Sequence, residues 1–295
     1  MSTKIQSRAP DERIWWRKSL PFFMLHLAPL GLFWTGIRRS DVVLVVALYY
    51  GRMFFITAGF HRYFAHHAYK TSRVMQFILA FGASTSCQKG VLWWAAHHRA
   101  HHRYSDTELD IHSPLRGFWW SHVGWILCRK YQPTDWARIK DFARYPELVW
   151  LNRFHLVPGV ILGTACYVLG GAHSLFAFFL STVLLYHGTF SINSLMHLWG
   201  KRRYVTTDTS RNSLLLALIT MGEGWHNNHH YYQSTANQGF FWWEIDLSYY
   251  LLRVLSWVGL VWELRTPSPR VLAANRIGDT SSLTTPTELL PEGRG

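Results

Sequence analysis

Charge is scarce in this chain. Asp, Glu, Lys and Arg make up 16% of its 295 residues, against about a quarter in ordinary soluble domains. Acidic residues are the scarcer kind, 17 against 30 Lys and Arg, for a formal net charge of +13. Such a balance can serve nucleic acid. Low charge density and long apolar runs point instead to an anionic membrane face or an acidic substrate, and no nucleic-acid partner is expected. Cysteine is also sparse. Cys87, Cys128 and Cys166 form no CxxC pair, which argues against a disulfide framework or a thiolate metal site. The N-terminus lacks the charged and apolar regions of a cleavable signal, so none is predicted. Tryptophan and tyrosine are plentiful, 16 and 14, as suits a membrane–water boundary.

The apolar runs predict an all-α integral membrane protein with four transmembrane helices in two hairpins. Residues 1–18 form a polar N-terminal segment, and 19–265 the membrane domain. The run 19–37 carries no charge and can just cross a core of about 30 Å. Arg38-Arg39-Ser40-Asp41 reads as a turn, and 42–60 returns with one charge, Arg52. An intramembrane arginine is expected to pair or snorkel unless it is functional. Between 74 and 95 the apolar stretch is broken by Ser84–Lys89, which predicts an interfacial segment. Residues 103–147 face water. Residues 155–171 and 173–196 form the second hairpin around Gly170-Gly171. Residues 266–295 are rich in Pro, Thr, Ser and Gly and predict disorder.

Histidine supplies the chemistry. One cluster holds His61, His66 and His67, a second His97, His98, His101 and His102, and a third His226, His229 and His230. Imidazole is the commonest protein metal ligand and suits iron, zinc, copper or nickel. A mononuclear site takes three or four protein ligands, so these clusters predict a dimetal centre. His98, His101 and His102 have i, i+3, i+4 spacing, repeated by His226, His229 and His230. On a helix each trio should share a face and converge on one point. His61 and His66 would diverge by about 140° on an ideal helix, so they contact different metals or lie where a helix end unwinds. His67 and His97 point away from these faces and read as supporting or surface residues. All clusters lie on one membrane side only if 74–95 does not cross. The positive N-terminus places that side, with both termini, in the cytoplasm.

These residues also stand in recognisable motifs. They are Thr57-Ala58-Gly59-Phe60-His61-Arg62, His98-Arg99-Ala100-His101-His102 and Ser121-His122-Val123-Gly124-Trp125. Asn193-Ser194-Leu195-Met196-His197, Ser210-Arg211-Asn212 and Gly222-Glu223-Gly224-Trp225-His226-Asn227-Asn228-His229-His230 follow. The chain resembles the membrane fatty-acyl desaturases, specifically the stearoyl-CoA desaturase-like family, from about residue 20 to 262. The resemblance implies a cytosolic cap holding two iron ions, for which zinc can substitute in a purified form because of its higher intrinsic affinity. It adds His197 as a ninth ligand and Asn193 as a contact through water. It places Gln88 and Trp94 at the bend of an acyl tunnel, Thr189 and Phe190 on the opposite wall, and Tyr49 as a plug at the closed end. Arg129 and Lys130 match contacts to CoA phosphates.

The activity implied is an O2-dependent acyl-CoA desaturase of the delta-9 type. Ala96, His97 and Lys89 depart from the CoA-binding pattern, which keeps an acyl-lipid substrate open. A membrane hydroxylase on the same scaffold is a further alternative. A histidine-rich metal carrier is another, and it predicts freely exchanging metal and no O2 consumption. Asp106, Asp110 and Glu223 are candidates to orient the histidines' other ring nitrogens. No haem- or flavin-binding region is visible, so a separate electron donor is expected: a ferredoxin, a cytochrome b5-like protein or a flavin reductase.

Overall fold

The computed structural model describes residues 9–278. Helix dominates. Helix α1, Trp16–Leu27, continues through a tightened turn at Ala28–Leu30 into Gly31–Thr35. The chain turns at Gly36 (φ 81°). Helix α2, Arg39–Phe54, then begins, with the Arg38 backbone N–H donating to the Asp41 carboxylate at 2.8 Å. From Phe55 to Ala65 it widens into a π-helix. Helix α3, Arg73–Ser84, is capped by Ser72, whose hydroxyl accepts the Met75 N–H. Its 12 residues span only about 18 Å, too short for a bilayer core. Helix α4 is Val91–Tyr104.

Helix α5, Val157–Leu198, is 42 residues long and breaks at Gly171 (φ 66°, ψ −158°), a conformation that costs glycine little. The predicted hairpin turn lies there. The chain then forms α6 (Leu214–Ile219), α7 (His226–Tyr231), α8 (Leu247–Trp257) and α9 (Pro269–Ala273). Lys70–Thr71 and Val261–Trp262 pair antiparallel, tying the entry of α3 to the exit of α8.

Two helical stretches, 39–65 and 157–198, are long and apolar enough to cross a membrane. Their outward faces, with that of α1 and its extension, carry large apolar side chains. Trp34 is 93% exposed and Leu169 88%. Continuous apolar surface of this kind suits lipid. Arg52 pairs inside the protein: its guanidinium donates to Thr182 Oγ1 (2.7 Å), Ser181 Oγ (2.5 Å) and the Leu48 carbonyl (3.0 Å).

The tail departs from expectation. Residues 266–278 are folded onto the body rather than disordered. The Ile277 N–H donates to the Arg203 carbonyl, the Val205 N–H to the Asn275 carbonyl, and the Tyr231 hydroxyl to the Val271 carbonyl. Composition scored the segment's own side chains and missed this backbone pairing with 203–205. The remainder of the expected tail, 279–295, and residues 1–8 lie outside the described residues.

Candidate metal centre

The π-helical stretch brings His61 and His66 together. In a π-helix the backbone bonds run i→i+5, and the His66 N–H donates to the His61 carbonyl at 3.2 Å. The two rings are 4.8 Å apart. The second sequence alternative describes the backbone: the helix end is underwound into a π-helix with His66 as its C-cap, and both histidines lie in one candidate group.

The trios are split instead. On an α-helix, positions i and i+4 lie about 40° apart, while i+3 sits about 60–100° from them. His98 and His102 of α4 therefore join His61, His66 and His229 in one group. His226 and His230 of α7 join His101 and His197 in another. Each helix gives its i, i+4 pair to one group and its i+3 residue to the other. The expectation that a trio meets at one point is corrected by this rotation.

In the first group the Nε2 atoms converge. His61–His229 and His66–His98 are 3.0 Å apart, and His98–His102 and His102–His229 are 2.9 Å apart. In the second, His226 and His197 approach to 3.2 Å through Nε2. Carboxylates hold the outer nitrogens. His101 Nδ1 lies 3.0 Å from Asp110, His230 Nδ1 2.7 Å from Asp208, and His197 Nδ1 3.3 Å from Asp106. His61 Nδ1 is 2.6 Å from Glu223 Oε2. Arg62, fully buried, donates to both Glu223 and Asp246.

Burial, then the neighbouring imidazoles, push His66, His98, His102, His226 and His229 well below the usual histidine range. Burial lowers His230 to about 4 despite Asp208. These rings are neutral near pH 7, the form that ligates metal. Burial alone would raise Asp110 and Asp208, but the charge and hydrogen bonds of their histidines hold both below the carboxylate range. A cation fits this arrangement. With Nδ1 donating to Asp208, His230 has a lone pair on Nε2, and that atom is buried without a hydrogen-bond partner.

Beside the first group lies a cavity of about 560 Å3, in the size range of ligand pockets. Its walls include His61 and His98 and are otherwise largely apolar.

The family model for fatty acid desaturases matches residues 41–262. The chain belongs to the fatty acid desaturase family. It is similar to the sn-2 palmitoyl-lipid 9-desaturase of Nostoc sp. (strain 36), 37% identical over 73% of this chain and 78% of the relative. It is similar to the Delta-9 desaturase-like 5 protein of Arabidopsis thaliana, 37% identical over 83% of this chain and 82% of the relative. The icosanoyl-CoA 5-desaturase of Limnanthes douglasii is 32% identical over 82% of this chain and 68% of its own. The desaturase is thus an oxidoreductase of lipid metabolism acting on fatty acyl chains, and its apolar helices make it membrane-associated.

Several residues expected from the sequence meet in the desaturase's cavity. Gln88, Trp94, Thr189, Phe190 and Asn193 all line it, and the Thr189 hydroxyl donates to Gln88 Oε1 at 3.0 Å, joining opposite walls. Tyr49 does not line it. Its hydroxyl donates to the Ile219 carbonyl at 3.0 Å and its ring packs with Met53 and Leu185, so the expected plug is a core residue. Arg129 and Lys130 also stand off the walls. Lys130 is held by Glu12 at 2.8 Å, and Arg129 lies over the Trp15 ring. The cations that reach the cavity are Lys18 and Lys89.

His67 pairs with Asp141 at the surface, and His97 Nδ1–H donates to the Trp93 carbonyl while the ring stacks on Trp93. Neither joins a group, as their positions suggested. Asp208 went unnoticed, and Asn212 was named only as part of a motif. Asn212 Oδ1 accepts the N–H groups of Asn227 and Asn228, satisfying donors at the start of α7 that the helix leaves free. The Ser210-Arg211-Asn212 motif was a pointer to this segment; nothing local ties Asp208 to His230.

Proposed function

We propose that the desaturase forms a cis double bond, of the delta-9 type, in a saturated acyl chain using O2 and two electrons. One iron would be held by His61, His66, His98, His102 and His229, and a second by His101, His197, His226 and His230, with Asn193 reaching the metals through water. The observation that carries this is the sharing of His61 and His98 between the first histidine group and the cavity. A chain in the cavity lies against the metal-binding side chains.

Bound iron would supply the O2-derived oxidant that protein side chains lack. The protein's own residues bind, orient and exclude water. Trp94 stacks on His98 with ring centroids 4.8 Å apart, shielding that ligand on the substrate side. The Thr189 hydroxyl donates to Gln88 Oε1 across an apolar wall, which fixes the Gln88 amide while its nitrogen is left without a protein partner. Asp106, Asp110, Asp208 and Glu223 hold the outer ring nitrogens and keep the ligands aimed.

Four crossings, 19–37, 42–60, 155–171 and 173–196, place the centre and both termini on the cytoplasmic side. The electrons come from a separate ferredoxin, cytochrome b5-like protein or flavin reductase. The acyl carrier is a membrane lipid. The position of Arg129 and Lys130 away from the cavity supports this over CoA, as does the lipid substrate named for the Nostoc relative.

Expression in a host lacking unsaturated fatty acids, followed by location of the new double bond, tests the activity. A monounsaturated product that disappears in His101→Ala is expected. An alcohol as main product, or full activity in His101→Ala, would refute it.

A further inference from the structure

Two ammonium groups line the cavity, and the carboxylate among its walls, Glu223, is taken by His61 and Arg62. Lys18 lies at the start of α1 and Lys89 in the turn between α3 and α4, and both line the cavity with Gln132. Among the described residues neither has an ion-pair partner. Glu12, which precedes α1, is taken by Arg116 at 2.7 Å and Lys130 at 2.8 Å.

Lys89 is held in place by built features. Its ammonium donates to Gln132 Oε1. Gln132 is itself fixed, its Nε2 donating to the Ile126 and Cys128 carbonyls at 2.8 and 2.9 Å. The backbone there is left-handed at Cys87 (φ 59°) and Lys89 (φ 72°), a cost for non-glycine residues that marks functional segments when the surroundings enforce it. Gln88, between them, faces the acyl cavity. Burial and the nearby Lys18 charge hold Lys89 below the ordinary amine range, so the like charges feel each other.

We propose that Lys18 and Lys89 form an anion site that takes the phosphate of a glycerophospholipid whose acyl chain fills the cavity. This rests on the acyl-substrate reading above and names its head group. The two lysines line the same cavity as the chain, so the phosphate must lie close to the acyl ester. A glycerophospholipid places it a short glycerol link away. In an acyl-CoA the pantetheine arm carries the phosphates far from the thioester.

Equilibrium binding to the purified full chain tests the site without requiring turnover. The probes are stearoyl-lysophosphatidylglycerol, monostearoylglycerol and stearoyl-CoA. The lysophospholipid is expected to bind at least about tenfold tighter than the uncharged glyceride, the scale of a charge-assisted contact. Lys89→Gln and Lys18→Gln should each remove most of that advantage and leave glyceride binding unchanged. Lys89→Arg should retain it, and raised salt should weaken it.

Equal wild-type binding of charged and uncharged probes would overturn the proposal. So would an equal loss of both in Lys89→Gln, or a lysine-dependent preference for stearoyl-CoA. If the binding pattern holds but no double bond is ever formed, desaturation fails and the site stands. If double bonds form but the lysines do not discriminate, the site fails and desaturation stands.

Discussion

His66 donates its backbone N–H to the carbonyl of His61 at 3.2 Å, five residues back, and the two imidazoles stand 4.8 Å apart. That single i→i+5 bond turns a spacing that would scatter two ligands on an α-helix into a pair facing one point. The π-helix sits where α2 reaches the histidine groups, a recurrent association of such segments with functional sites.

Metal content should follow the partition of the two groups rather than the sequence clusters. His98→Ala and His102→Ala should deplete the same ion as His61→Ala and His66→Ala. His101→Ala, although it lies between His98 and His102, should deplete the other. Elemental analysis of the iron-loaded protein would read a drop from two ions toward about one per chain in each case, since each variant removes one imidazole from a single group of five or four. If double variants from different groups deplete no more than either single variant, the partition is wrong.

Asp208 is expected to matter as much as the carboxylates anticipated from sequence. Asp208→Asn removes the charge facing His230 Nδ1 while keeping the volume. Metal affinity should fall by about 10–100-fold, measured by competition with a chelator, while helix content is retained. Unchanged affinity would make the 2.7 Å contact irrelevant to ligation.

Acid should destabilise the metal-free protein well before its carboxylates titrate. Burial lowers His230 from 6.5 to about 4, and burial and the neighbouring imidazoles hold His66, His98, His102, His226 and His229 well below 6.5. Between those values the unfolded state binds more protons than the folded one, so stability rises with pH. The contribution is full above about pH 6.5 and is lost as pH falls toward 4 and below. His101 runs the other way: burial opposes charge, but Asp110 raises it, offsetting part of the loss. Thermal unfolding in detergent at pH 7.5, 5.5 and 4.5 should show a falling midpoint; a flat profile would contradict the neutral cluster.

Arg62 is the charge on which two buried acids depend. Arg62→Ala leaves Glu223 and Asp246 buried without it and should cost about 3–5 kcal/mol. The expected result is a large drop in unfolding midpoint with the iron site lost at the same temperature. Arg62→Lys should rescue only part, because one ammonium cannot reproduce a guanidinium fork. A midpoint within error of wild type would show that the acids protonate at little cost.

Much of the site was legible from local pattern. His98 and His102 are a helical i, i+4 pair whatever the fold, and nine histidines exceed what one metal accepts. The break at Ser84–Lys89 already argued against a crossing at 74–95, and α3 is indeed too short for one. Trp94, Gln88, Thr189 and Phe190 were placed by resemblance and do line the cavity. Tyr49, placed by the same resemblance as a plug, is not among the lining residues, and Arg129 and Lys130, matched to phosphate contacts, lie beside Trp15 and Glu12, because an aligned position does not say which neighbour claims the side chain. Ile219, Trp15 and Glu12 claim these.

The sequence alone determined the residue types, the helical faces they share and the apolar stretches that carry them, since these follow from spacing along one segment. Only the tertiary structure decided which histidine joins which group, that Asp208 faces His230, and that Lys18 and Lys89 line one cavity. Those pairings span tens to more than a hundred residues. They depend on the rotation of one helix against another, on a backbone widened at Phe55–Ala65, and on which charges Glu12 neutralises. None of these leaves a periodic trace in the chain itself.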